Sequence, residues 1–492
     1  MRRSILSNAF FSLVSDVASR LATALVLIAI VRRLGESASG VYTLGTNYVL
    51  LLSALASWGL DQLLIRDVAR DRGLATKHFG HFLLFRLVLS PFLWLVLATA
   101  LLWARPYQPL TNWFIAIAGA TIVGNSLSNL GQALLIAYER VWPASLISAV
   151  GGVLLVTGGM IALSSGAGMI SIALMLVATS LLQATAVCIV AGRSLQWHHF
   201  RLDGPFVRRE LRAGLPFVPI LVFIALETQV GSILLSFFHS EAAVGHYGMA
   251  NVIVTALAML SQAARIGIFP VMARLRQTDP SEFVRLYERS WRTFAAGSLP
   301  VVILLILLAE PIIRLLYGRP SPEAVTTLQC LAPAVCFYFL NLPNSRLMIL
   351  EQRQGVMARW YAVSTALHIA LALLLIPAYA APAVGAARSI SMGVLFLQSC
   401  AYVERRILAS RPWRFVWRPA VACGVMAFVV FVVTPTWSPF VRAASGLVVY
   451  GLVLALLTAL SRKGSMHKPP GELPATREIS AAYPTLENDR EQ

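Results

Sequence analysis

Apolar runs of about 20 residues, separated by short polar segments, recur along most of the chain, and a helix of that length crosses a hydrocarbon core of about 30 Å. The pattern predicts fourteen spans, near residues 8–31, 40–64, 80–103, 113–137, 145–164, 168–191, 214–237, 245–272, 291–309, 324–350, 357–376, 383–404, 418–435 and 440–461. The expected fold is therefore all-α, a polytopic membrane protein of about 14 transmembrane helices. The first run follows Arg2 and Arg3 as a signal peptide would, but it is too long, and Asp16 and Arg20 interrupt it, so it is expected to be retained.

Polar positions inside the spans are not scattered. In the first span Asn8, Ser12, Asp16, Ser19 and Thr23 recur at steps of three and four, placing them on one helical face, with Arg20 among them. A guanidinium facing lipid costs about 2.5–3.5 kcal/mol or more, so this face is expected to turn toward a hydrated or protein-lined interior. The second span carries Thr43, Asn47, Ser53, Ser57 and Asp61, and the eighth Asn251, Thr255, Gln262 and Arg265. Asn125, Asn129 and Gln132 lie on the fourth, Glu227 at mid-depth on the seventh, and Asn341 and Ser345 around Pro343 on the tenth. Isolated Ser, Thr or Asn can simply join helices. Full stripes that include a mid-membrane arginine point instead to a shared central cavity.

The candidate substrate-binding residues are accordingly Arg20, Arg265, Asn125, Asn129, Gln132, Asn251 and Gln262, and the candidate ion-coupling or gating residues Asp16, Asp61 and Glu227. Asp16 and Arg20, four apart, can neutralise each other. Arg86 and Arg346 lie near cytoplasmic span ends and are expected to snorkel; Arg388 lies near an outer end. The cavity still leans cationic, which suits a phosphate-bearing ligand because guanidinium forks match phosphate oxygens bidentately.

Composition agrees: 58% hydrophobic and 13% charged residues leave no sizeable soluble domain. With a cytoplasmic N-terminus, 29 of the 40 Lys and Arg fall in or beside cytoplasmic segments, a positive-inside bias. That distribution accounts for the net charge of +18 and argues against nucleic-acid binding, which would gather the charge on one face. The five cysteines all fall within spans without a C-x-x-C pair and are expected to be packing residues. His368, deep in a span, is read as a packing or backbone-bonded residue in preference to a proton relay. No phosphate-binding loop, H-E-x-x-H or G-x-S-x-G motif occurs. Direct use of ATP, a cofactor, a metal centre and enzymatic activity are not expected.

Two halves of six spans and an extra pair make up the expected organisation: an N-lobe at 1–191, a cytoplasmic linker at 192–213, a C-lobe at 214–404, an added pair at 405–461 and a disordered tail at 462–492. Gly40-Val41-Tyr42 opens the second span as Gly245-His246-Tyr247 opens the eighth. Six spans per half is an even number, so the halves would be related by a pseudo-two-fold axis along the membrane normal. Asp279-Pro280-Ser281-Glu282 reads as a helix start, and the following segment with Phe283, Tyr287 and Trp291 is expected to lie on the cytoplasmic membrane surface.

Leu34-Gly35 ahead of Gly40-Val41-Tyr42, Glu227 ahead of Gly245-His246-Tyr247, the segment Pro311 to Gly318 ending in Leu-Tyr-Gly, and Ile376-Pro377 leading into Val384-Gly385-Ala386-Ala387 together resemble the polysaccharide flippases of the Wzx type, over roughly residues 5 to 405. These belong to the multidrug, oligosaccharidyl-lipid and polysaccharide (MOP) exporter superfamily. The resemblance implies two lobes that move an undecaprenyl-diphosphate-linked oligosaccharide across the bacterial inner membrane by alternating access. It implies membrane lipids and the lipid-linked glycan as partners, with a glycan polymerase and a chain-length regulator as candidate protein partners. Two departures stand out: Glu227 where the family usually has Asp, and a thirteenth and fourteenth span, a feature also of the related lipid II flippases. The rival readings are a lipid II-type or multidrug exporter of the same superfamily, or a membrane glycan polymerase or ligase, which the short outer loops disfavour.

Overall fold

The computed structural model describes residues 2–465 except 105, 198–199, 319–320, 409–412 and 434–436, and their side chains except those of 2–16, 262–270, 277, 413–414, 433 and 461–465. It is 91% helix with no strand among the described residues. Lipid enforces this economy, because a helix satisfies its backbone polar groups internally. In chain order the helices are α1 (Arg2–Leu34), α2 (Glu36–Ser57), α3 (Leu60–Arg70), α4 (Ala75–Ala104), α5 (Pro109–Ala118), α6 (Thr121–Ala137), α7 (Val141–Ser164) and α8 (Met169–Gly192). After the linker come α9 (Gly204–Gly214), α10 (Val218–Phe238), α11 (Glu241–Thr278), α12 (Pro280–Leu307), α13 (Ala309–Tyr317), α14 (Pro322–Leu350), α15 (Gln354–Arg406), α16 (Trp413–Phe428) and α17 (Pro439–Ser465).

Among the described residues 11 helices are long and apolar enough to cross a membrane, or up to 12 if the bent pair α2 and α3 is one span. The expected fourteen is not reached by this measure. α15 counts once although its 53 residues cover the eleventh and twelfth expected spans. A straight helix of that length would measure about 80 Å, well beyond one bilayer, and α15 is broken at Ala380 (φ 48°, ψ −127°) between Pro377 and Pro382. Large apolar side chains point outward along these helices, among them Val88, Trp103, Leu374 and Leu452 at 73, 90, 74 and 67% exposure. Such a surface is stable only where lipid solvates it.

Two compact units are formed, each from segments distant in sequence: Met1–Ala263 with Ala309–Ala334 and Gln354–Leu395, and Ala264–Leu308 with Val335–Arg353 and Phe396–Gln492. Apolar clusters of buried residues run through the first. One gathers Val26, Ile30, Tyr42, Phe114 and Ile172, and another Leu64, Val68, Phe79, Leu134 and Val187. Between them α2 gives way to α3 at a 45° bend, made by Trp58 (φ 50°) and Gly59 (φ 71°) in the left-handed region, where glycine lacks the Cβ penalty.

In the second unit Ala422, Cys423, Met426 and Val430 pack with Tyr450 against the α12 residues Leu299 and Ile303. The start of α12 is as expected: the Asp279 carboxylate accepts from the Glu282 N–H at 2.9 Å, with Pro280 first in the helix. Its continuation is not. Phe283, Tyr287 and Trp291 do not lie on a membrane surface; they are buried, with Tyr287 Oη donating to Asn344 Oδ1 at 2.7 Å and the Trp291 ring beside Phe396. The segment runs on without a break into the ninth span as one 28-residue helix, and its aromatic face finds protein instead of lipid.

Candidate functional site

Among the described residues of the first unit, buried polar side chains gather at several places. In the first, Arg388 on the second limb of α15 is 1% exposed and donates from Nη1 to Asn251 Oδ1 at 2.8 Å and to Tyr247 Oη at 3.1 Å, both on α11. Its Nε is 3.7 Å from Oε1 of Glu227 on α10, which is 2% exposed. That separation exceeds a hydrogen bond but keeps opposite charges in contact. The cluster joins α10, α11 and α15.

The second constellation surrounds Arg86 on α4, which is fully buried. Its Nη1 donates to the Ser126 carbonyl at 2.6 Å, and its Nη2 to the Ser57 carbonyl at 3.0 Å and to Asp61 Oδ1 at 2.7 Å. The α2–α3 bend is what exposes the Ser57 carbonyl at a helix end and puts Asp61 in the first turn of α3, where an acid is also favoured by the helix dipole. One guanidinium thus ties the ends of α2 and α3 to α6.

In the third, α2 and α11 meet face to face. A Cβ added at Gly40 would collide with the Glu241 carbonyl, and one at Gly245 with the Glu36 carbonyl, so only glycine permits this approach. The spacing Glu36, Gly40, Tyr42 recurs as Glu241, Gly245, Tyr247, and the repeated segments meet each other. Glu36 Oε2 lies 2.8 Å from His246 Nε2, while Glu241 accepts from Ser37 and from Thr111. Farther along, Asn47 donates to Ser232 and Tyr107 Oη links Tyr48 to Ser236.

The expected site residues fall unevenly on this geometry. Asn251 and Glu227 are brought together by Arg388. Asp61 is held apart from them by Arg86. Arg20 is exposed on α1, Asn129 is exposed on α6, and Asn125 and Gln132 are half-buried there, Gln132 donating to Ser128 Oγ at 3.2 Å. Asp16, Gln262 and Arg265 lie outside the residues whose side chains are described. Arg86, expected to snorkel, is instead fully buried among acceptors of α2, α3 and α6, and Arg388, placed by the sequence near an outer span end, is likewise buried, against α11. Sequence position gives depth along a helix but not the carbonyls and carboxylates that a neighbouring helix offers. Their charge inside apolar spans was the available signal. His368, also fully buried, lies on the first limb of α15 against α10.

A profile of the family described as polysaccharide biosynthesis protein matches residues 29–326, more than half of the chain. The chain belongs to the polysaccharide biosynthesis protein family. It is 26% identical over 217 residues to a probable lipid II flippase MurJ of Rhizobium tropici, a match covering 42% of this chain and 40% of that relative. The chain thus spans less than half the length of the curated relative it matches. Among solved structures, the lipid II flippase MurJ in an inward closed conformation aligns over 93% of this chain and 100% of its own, with a TM-score of 0.75 at 14% identity. An inward-facing multidrug resistance MATE family transporter of the MOP superfamily aligns over 82% of this chain and 97% of its own, with a TM-score of 0.63 at 14% identity. The two-lobed fold is similar to that of these two solved transporters, and this polysaccharide biosynthesis protein is a multi-pass membrane protein.

Proposed function

We propose that this family member is a flippase that carries a polyprenyl-diphosphate-linked oligosaccharide across the bacterial inner membrane by alternating access, with both termini cytoplasmic. A sugar hydroxyl moved from water to hydrocarbon without partners costs about 4–8 kcal/mol, so a multi-sugar diphosphate headgroup needs a polar path while its polyprenyl tail stays in lipid. The observation that carries the reading is the α2–α11 contact. Repeated segments from the two halves of the sequence close on each other through Gly40 and Gly245, at the end that the positive-inside pattern assigns to the outside. A closure made of small residues and a few hydrogen bonds can separate and reform, as alternating access requires. Arg20 and Arg265 are the proposed headgroup ligands, and Glu227 with Arg388 the proposed coupling pair. A glycan polymerase and a chain-length regulator are the protein partners that such a product would meet.

The similarity to MurJ in sequence and fold favours lipid II as a second substrate reading. Reconstitution separates the two. Protein in vesicles loaded on one leaflet with a fluorescent polyprenyl-diphosphate oligosaccharide is expected to make the label accessible to a membrane-impermeant quencher, and Arg20→Ala to lower that rate more than Arg20→Lys, which keeps the charge but loses the fork. Movement of a lipid II analogue without the oligosaccharide would assign the second reading. Movement of neither, or transfer of sugar between lipids, would overturn the flippase assignment.

A further inference from the structure

At the linker end of the first unit, three side chains from three helices converge: Asp67 on α3, His78 on α4 and Glu210 on α9, with ligand atoms all within 4.8 Å of one another. We propose that they bind one divalent transition-metal ion of the zinc class.

The His78 ring carries the argument. Its Nδ1 is 3.0 Å from the Leu74 carbonyl, which only accepts, so Nδ1 bears the hydrogen and Nε2 is left to face the cluster. Nε2 is buried and makes no hydrogen bond, on a side chain that is 3% exposed. One turn along, His81 has the same arrangement with the opposite outcome. Its Nδ1 faces the Lys77 carbonyl at 2.6 Å, and its Nε2 accepts from the Asp203 N–H at 2.9 Å. In front of His78 Nε2 there is no N–H. There are two carboxylate oxygens, Asp67 Oδ2 at 3.5 Å and Glu210 Oε2 at 4.0 Å.

A lone pair facing two carboxylates is repelled unless a cation lies between them, either a proton on Nε2 or a metal ion. A charge-assisted N–H···O bond is about 2.7–2.9 Å long, and neither distance meets it. Ligands held at about 2.0–2.1 Å around a tetrahedral ion stand about 3.3 Å from each other, close to the first distance and reached from the second by a small side-chain shift. One imidazole nitrogen with two carboxylate oxygens is a donor set for zinc, with a fourth position left to water.

The surroundings are those of a supported site. Arg66 donates to both Asp67 oxygens at 2.7 and 3.1 Å, and Arg209 to Glu210 Oε1 at 3.1 Å, leaving Glu210 Oε2 for the ion. Together with the Nδ1 contact to a carbonyl, these bonds fix the orientation of all three ligands. Phe82 and Phe206 stand edge-on to the His78 ring at 5.6 and 5.0 Å. The bound ion would fasten the linker helix α9 to α3 and α4.

The test uses the full-length protein in detergent, stripped with a chelator and titrated calorimetrically with zinc chloride, with cobalt(II) as the optical probe. One saturating ion per chain is expected, with visible absorption bands of tetrahedral cobalt and a higher unfolding temperature in zinc. His78→Gln and Glu210→Gln are each expected to weaken binding at least about tenfold, while His81→Gln leaves it unchanged. Tryptophan fluorescence and elution volume are compared first, and Asp67→Asn replaces either variant that fails to fold. Absence of saturable binding to the wild type, or equal binding by the folded ligand variants, overturns the proposal. So does stabilisation that follows pH alone with no zinc uptake, the behaviour of a protonated His78.

Discussion

Neutralising Glu227 tests the central cluster most directly. At 3.7 Å and an effective dielectric of about 20, a pair of unit charges interacts by about 4.5 kcal/mol. Glu227→Gln removes that attraction and leaves Arg388 buried, held by the neutral acceptors Asn251 and Tyr247. Removing one partner of a buried pair costs about 3–5 kcal/mol, and Arg388→Gln, which strands the carboxylate, should cost a similar amount. The double variant removes both charges and should cost less than the sum of the singles by about 3 kcal/mol or more. Unfolding in mixed micelles, followed by tryptophan fluorescence, measures all three against the wild type, and flipping is then scored per folded protein. Lower transport by folded Glu227→Gln is expected from a coupling role. Single variants that lose less than about 1 kcal/mol, or a strictly additive double variant, would show that the two charges are screened by water and refute the reasoning. Full transport by Glu227→Gln across a broad pH range would leave Glu227 as a polar packing residue.

Arg86→Ala should destabilise the protein by about 3–5 kcal/mol, because Asp61 and the Ser57 and Ser126 carbonyls lose their shared donor, and Arg86→Lys should recover only part; a loss below about 1 kcal/mol in the same unfolding assay would contradict this. Gly40→Val should hold α2 and α11 apart, so cross-linking between Ser37→Cys and Glu241→Cys should fall relative to the same pair on a Gly40 background; an unchanged yield would contradict the close contact. Lys77, hydrogen-bonded at 2.6 Å, and the Phe206 N–H hold the Asp203 carboxyl below the usual carboxylate range. Because the folded value is the lower one, this stabilisation is present above the unfolded value of about 3.9 and lost as pH falls through the folded value. Asp203→Asn should therefore raise proteolytic cutting in the linker near neutral pH, with the difference shrinking as pH falls below the usual carboxylate range; equal cutting at neutral pH would contradict this.

How far the sequence alone carries this protein follows from which forces are local. Lipid thickness sets span length whatever the neighbours are, so the polytopic all-α fold was legible from apolar run length. The start of α12 was legible too, because Asp279, its N–H partner and Pro280 lie within four residues of one another. The glycine motifs at Gly40 and Gly245 were visible as a repeat, yet their meeting was not, since a repeat states likeness and not adjacency. Arg86 and Asp61 are 25 residues apart and Arg388 and Tyr247 141 apart. A charge in a span announces that it needs partners, and its position along the helix gives its depth; which acceptors stand at that depth depends on the facing helix and on where that helix bends. The bend at Trp58 and Gly59 freed the Ser57 carbonyl for Arg86, and the second limb of α15 carried Arg388 to Glu227 and Asn251. Packing between helices distant in sequence made those decisions, and tertiary structure alone could supply them.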